Sequence, residues 1–280
     1  MAETWLLLPF IYAKKSNGIL TDYSHFNANK GLSDLINSLP GKENEYNQYL
    51  HDFFINLYSS LAENNQYFVE KTPRYYLIIP EILKLFPDAK FIFIFRNPVQ
   101  IYASRMATYG SNRFSIFSAN RSYFDLINGP DILTRGYELL KDKAYKLNYE
   151  HFISDPEPFI KDICNYLEIE YYENILSNFD PGKLAGRHMD KNAIEYGNKI
   201  VNTTVEKWKT VFNTSYRKKV LSSYISNLDK DTLQKMGYSK EAILKDIKNV
   251  KSNGRRNLIK DVYDFNLMRL KNKFNRISYN

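Results

Sequence analysis

The chain of 280 residues has a single cysteine, Cys164. One thiol makes neither a disulfide framework within the chain nor a cysteine-based metal site. Its neighbours Asp162, Ile163, Asn165 and Tyr166 predict a helix, in which Cys164 reads as a buried structural thiol. No apolar run approaches the roughly 18 residues of a membrane span. The apolar start, Trp5 to Tyr12, has no basic stretch ahead of it and follows Glu3, which argues against a secretory signal, so a cytoplasmic location is expected. Among the 11 glycines there is no Gly-x-Gly-x-x-Gly. Gly41-Lys42-Glu43 and Gly182-Lys183-Leu184 lack the earlier glycine and the following Ser or Thr of a phosphate loop. There is no Gly-x-Ser-x-Gly elbow to supply a nucleophilic serine. His25, His51, His151 and His188 show no metal-ligand spacing, so no metal is expected.

What is present is an ordinary globular composition: 44% hydrophobic, 25% charged. That argues against disorder, and for one large domain or two small ones with a core that needs no staples. The net charge of +8 favours anionic partners. The excess is concentrated late. Lys248, Lys251, Arg255, Arg256, Lys260, Arg269, Lys271, Lys273 and Arg276 face only Asp261 and Asp264. This predicts a solvated basic helical extension over 248–280, beyond a main domain of 1–247; a nucleic-acid or anionic-surface arm is the sharper alternative. With no recognition motif, nucleic acid is not an expected partner.

Along the chain, Tyr49, Leu50, Phe53, Phe54 and Leu57 recur at helical spacing within Tyr46 to Leu61. Tyr67-Phe68-Val69 has strand propensity. Pro80 opens a short helix that Pro87-Asp88 closes. Residues 90–95, Lys-Phe-Ile-Phe-Ile-Phe, predict a strand buried on both faces. Asn97 as N-cap and Pro98 as first helical residue predict a helix to about Tyr109. Ala144 to Tyr149 predicts another strand, and Asp155-Pro156 a helix to Leu167. From about 200 the chain reads as helical. Strands alternating with helices imply parallel β-α-β units, whose ligands bind at the carboxyl ends of strands. Here those ends are Glu70-Lys71, Arg96-Asn97 and Tyr149-Glu150.

Arg96 ends the most apolar strand and stands before a helix, so an anion there would meet a guanidinium fork, free helix N–H groups and a positive dipole end. Ser104, two turns on, is placed to face the same pocket; equally, the pair reads as a surface arginine and a packed serine. Glu70-Lys71-Thr72-Pro73, the run Phe86-Pro87-Asp88-Ala89-Lys90-Phe91-Ile92, Arg96-Asn97-Pro98 and Ser104 resemble the sulfotransferase family that uses 3′-phosphoadenylyl sulfate (PAPS). Asn148-Tyr149-Glu150-His151-Phe152 with Asp155-Pro156-Glu157 is similar to the Tyr-Glu-Asp segment of that family, and Val205-Glu206-Lys207-Trp208-Lys209 to its basic-tryptophan element. The resemblance covers roughly residues 3 to 215 and implies a P-loop-type α/β fold, a parallel sheet flanked by helices, with a helical C-terminal part. It implies that Arg96 and Ser104 hold the 3′-phosphate, that Tyr149 packs near the adenine, and that Lys207 and Trp208 close over the donor. On residues alone, Tyr149 also reads as a core aromatic and Trp208 as a helix anchor.

One element departs from the family pattern. The first strand and the loop that cradles the 5′-phosphosulfate should precede Glu3, and they are missing from residues 1–280, which reads as truncation. Glu3-Thr4-Trp5-Leu6-Leu7-Leu8-Pro9 looks like the segment just after that loop, where a glutamate is the general base, so Glu3 is the candidate base, with Glu70 second. Lys71 is the candidate cation for charge gathering on the leaving phosphate. The implied activity is sulfuryl transfer from PAPS, without a metal, to a hydroxyl or amine of a small-molecule, sugar or peptide acceptor. The alternative is a non-catalytic nucleotide-binding or interaction remnant of the same fold.

Overall fold

Helix caps and apolar spacing decide where elements start and stop. The computed structural model describes residues 7–12, 14–15, 25–62, 65–118, 120–177, 205–252 and 258–274. The chain divides into two compact units: Met1–Ala89 with Asp180–Gly197 and Ser278–Asn280, and Lys90–Phe179 with Asn198–Ile277.

In the first unit lie helices α1 (Leu7–Tyr12), α2 (His25–Ser38), α3 (Lys42–Ala62) and α4 (Ile79–Leu85). The helical spacing over Tyr46 to Leu61 is realised in α3. Its first turn carries Glu43 and Glu45, where the helix dipole favours negative charge. Leu50 and Phe54 turn inward to a core with Ile11, Tyr12, Ile78 and Leu85, while Tyr49 and Phe53 stay exposed. Burying such a side chain contributes about 1.5–3 kcal/mol. Pro80 sits in the first turn of α4, where its missing N–H costs nothing. Tyr67-Phe68-Val69 is not a strand, contrary to its propensity. Phe68 stacks instead on Tyr58 of α3, ring centroids 4.7 Å apart, and Val69 is exposed. A strand is made by its ladder, and side-chain preference without a pairing partner leaves only an extended segment.

The second unit contains β1 (Phe91–Phe95), α5 (Pro98–Gly110), α6 (Asn120–Ile127), α7 (Gly129–Leu140), β2 (Ala144–Asn148), α8 (Tyr149–Ser154) and α9 (Pro156–Leu167). After these come α10 (Lys207–Val211), α11 (Ser215–Asn227), α12 (Lys230–Met236), α13 (Lys240–Asn249) and α14 (Leu258–Phe274). The described fold is thus a mostly helical α/β architecture with a small parallel sheet. β1 and β2 pair in parallel, in register from Phe91 opposite Ala144 to Phe95 opposite Asn148. β1 is covered on one face, not on both as its composition suggests. Phe93 and Phe95 meet the ring of Tyr137 on α7 edge-on, at 5.5 and 5.8 Å, whereas Ile92 and Ile94 are exposed. An unbroken apolar run permits burial on two faces; what packs on each face decides it.

β2 ends one residue before its expected limit. The side chain of Asn148 accepts the His151 N–H at 3.0 Å and caps α8, which makes Tyr149 helical. α5 starts as expected, with Asn97 Oδ1 accepting the Val99 N–H at 3.0 Å. Tyr102 on the inner face of α5 meets Phe117, Tyr224 and Phe212 edge-on at 4.7, 5.1 and 5.3 Å. This aromatic cluster ties the strand–helix unit to the C-terminal helices. Cys164 is buried in α9. Among the described residues no helix is long and apolar enough to cross a membrane.

Candidate functional site

The carboxyl ends of β1 and β2 bring Arg96 and Tyr149 onto neighbouring turns. Arg96 leaves β1 and lays its guanidinium over the ring of Tyr149, 4.3 Å from the centroid, a stacking arrangement that holds the fork in one plane. Its Nε lies 3.3 Å from Oε1 of Gln100, a buried residue one turn into α5. Among the described residues, the two terminal nitrogens of Arg96 have no hydrogen-bond partner. Ser104 is half-buried one further turn along. Spacings of three, four and seven residues set Asn97, Gln100 and Ser104 on one stripe of α5.

Glu150 locks the two strand ends together. Its Oε1 accepts the backbone N–H of Asn97 at 3.0 Å, and Oε2 accepts the hydroxyl of Tyr238. That hydroxyl lies 3.3 Å from the Phe95 carbonyl and accepts from Asn148 Nδ2 at 3.1 Å. Burial, and then the Glu150 carboxylate, push the Tyr238 phenol well above its ordinary range. Tyr238 therefore stays a donor, and the β1–α5 turn is fixed from the far end of the chain.

The latch also corrects one expectation. The helix N–H groups at this turn are already satisfied: Val99 by the Asn97 side chain, Gln100 by the Asn97 carbonyl at 2.9 Å, and Asn97 itself by Glu150. This turn therefore offers an anion the Arg96 guanidinium rather than open amides.

The other candidates are placed differently. Lys71 is exposed and belongs to the first unit, as does Glu70, which accepts the Thr72 hydroxyl at 3.1 Å. Glu3 lies outside the described residues. Lys207 is exposed at the start of α10, and Trp208 is buried. α10 packs against α5, and its Thr210 and Val211 line a cavity of about 380 Å³ with Ser111, Asn112 and Arg113. That end of α5 is about 20 Å along the helix axis from the Arg96 turn. Sequence reasoning missed Gln100, although its place four residues after Arg96 in a helix could have shown it. It also missed Tyr238, for which nothing local gives a signal.

The parallel pair β1–β2, each strand leading into a helix, puts the chain in the α/β class, whose ligands bind outside the carboxyl ends of the strands. A family model described as "Sulfotransferase family" matches residues 1–173, and the chain belongs to the sulfotransferase family. It is similar, at 24% identity over 216 residues, to a Caenorhabditis briggsae protein described as "Putative protein-tyrosine sulfotransferase", covering 73% of this chain and 68% of that one. It is 23% identical over 165 residues to an "Uncharacterized protein" of Aquifex aeolicus (strain VF5), which spans 56% of this chain but only 21% of that protein. Among solved structures, the "Sulfotransferase Domain from the Curacin Biosynthetic Pathway" aligns with a TM-score of 0.47 at 17% identity, over 80% of this chain and 87% of that one.

Proposed function

We propose that the protein binds PAPS at the β1–α5 turn and moves its sulfuryl group to a hydroxyl or amine. The observation that carries this reading is the Arg96 guanidinium, stacked on Tyr149 and tethered at Nε to Gln100, with its terminal nitrogens open. Arg96 and Ser104 would hold the 3′-phosphate through charge-assisted bonds. Tyr149, already stacked on the guanidinium, would border the adenine. Lys207 and Trp208 would close over the donor from α10, and Lys71 would neutralise charge on the departing phosphate. Glu3 would take the acceptor proton, with Glu70 as second candidate. The donor supplies an activated sulfuryl group, and no metal is needed for its transfer. The likeness to the C. briggsae protein-tyrosine sulfotransferase relative makes a peptide tyrosine the first acceptor to try, ahead of sugars and small phenols.

The test is calorimetric titration with adenosine 3′,5′-bisphosphate and adenosine 5′-monophosphate. The bisphosphate is expected to bind more tightly, and Arg96→Ala to weaken it by about 1.5–3 kcal/mol, the range for a hydrogen bond to a charged group. Equal affinity for both nucleotides would refute the 3′-phosphate assignment. Bisphosphate binding with no transfer to any acceptor would instead favour a nucleotide-binding module without turnover. That second reading draws its support from the absence of a phosphate-loop motif in residues 1–280.

A further inference from the structure

α14 carries two acids, and both are hidden. Asp261 and Asp264 are 2% and 1% exposed, and Met268 continues the same buried stripe. Arg217 clamps Asp261 through Nε and Nη2 at 2.7 and 2.8 Å; Arg113 clamps Asp264 in the same bidentate manner at 2.8 and 2.7 Å. Docking of the helix thus removes its negative charge from the surface, although its local sequence mixes both signs.

The opposite face is of another kind. Ile259, Tyr263 and Leu270 are 88%, 64% and 52% exposed. Steps of four and seven residues put them on one outward stripe. Exposed Lys260 and Lys271 border that stripe on one side and exposed Arg269 on the other. Apolar side chains in the centre, long cationic side chains along both edges and no acid between them match the cross-section of a bilayer surface. The apolar groups enter the acyl boundary while the cations reach out to headgroup phosphates.

We propose that the outer face of α14 docks the protein on an anionic lipid bilayer surface. A second copy of the chain would bring Lys260, Arg269 and Lys271 against their own kind, on a protein that already carries a net +8. A nucleic acid would use the cations but leave Ile259, Tyr263 and Leu270 in water.

The experiment is co-sedimentation of the full chain with vesicles of phosphatidylcholine alone and of phosphatidylcholine mixed with phosphatidylserine. Binding is expected on the mixed vesicles and at least about tenfold weaker on the neutral ones. Ile259→Glu with Leu270→Glu is expected to abolish it without lowering the melting temperature, since both side chains are exposed. Replacing Lys260, Arg269 and Lys271 by glutamine is expected to weaken it about a hundredfold, roughly fivefold for each cation. In a Tyr263→Trp variant, the added indole emission is expected to shift to the blue on mixed vesicles. Vesicle binding unchanged by the double glutamate variant would reduce the contact to charge alone and overturn the proposal. So would a concentration-dependent dimer, disrupted by the same variant, in a protein that ignores both vesicles.

Discussion

Arg217 shows how much one buried side chain can hold. Besides its two bonds to Asp261, it donates Nη1 to the Val211 carbonyl at 2.9 Å and Nη2 to the Asn112 carbonyl at 2.7 Å. One guanidinium therefore joins the end of α5, the end of α10 and α14. The side chains of Arg217 and Asp261 are only 11% and 3% exposed, so removing one partner strands the other's charge away from water. Breaking such a pair costs about 3–5 kcal/mol, and Arg217→Met is expected to lower the melting temperature by roughly 10 °C in scanning calorimetry. Arg217→Met combined with Asp261→Leu should recover part of that loss, but not all, because two carbonyls still lack their donor. A single variant as stable as the wild type would mean the clamp is idle. The solvated pair Lys161–Glu157, one helical turn apart at 2.7 Å, belongs to the opposite regime, where water screens most of the gain.

At the scale of elements, the turn from β1 into α5 depends on a residue distant in sequence. Asn97 caps the helix locally, but the orientation of the turn is set by Glu150 after β2 and by Tyr238 after α12. Folding raises the Tyr238 phenol above its ordinary value of 10.0, so it favours the neutral form. The resulting stability is fully present below about pH 10 and is lost as pH climbs beyond it. Tyr238→Phe is expected to flatten the alkaline decline in urea midpoints that begins near pH 10. Tyr102 and Tyr224, also buried with raised phenols, leave part of it in place. The same variant frees one oxygen of Glu150 and should weaken bisphosphate binding, because the Arg96 turn loses its brace. An alkaline limb identical to that of the wild type would refute this assignment to Tyr238.

Across the whole molecule, sulfuryl transfer demands more than a nucleotide site. The donor must be held while charge gathers on its leaving oxygen, work done mainly by preorganised backbone N–H groups and a cation; losing one such donor commonly costs about 10²–10³ in rate. Residues 1–280 contain no glycine-rich loop of that kind. Transfer of labelled sulfate by these 280 residues would therefore need a cradle built from another segment. Glu3→Gln is expected to abolish most of that transfer. Transfer unchanged by Glu3→Gln would mean that another group takes the acceptor proton.

Local chemistry alone determined a good deal of this. Asn97-Pro98 started a helix, the run from Lys90 made a strand over Phe91–Phe95, Ala144 began its partner, and Cys164 went inward. Each follows from capping, from fixed dihedrals or from side-chain preference acting within a few residues. Arg96 and Ser104 could be nominated from sequence for the same reason, since strand end and helix spacing are local. Tertiary structure decided the rest, because burial and pairing depend on what arrives from elsewhere in the chain. Phe68 found Tyr58 rather than a neighbouring strand, and only one face of β1 was covered. Glu150 became a latch only when Tyr238 reached it. The late basic stretch reads in sequence as a solvated basic helical extension. It became a docked helix with an acid-free outer face because Arg113 and Arg217, far away in the chain, drew Asp264 and Asp261 inside.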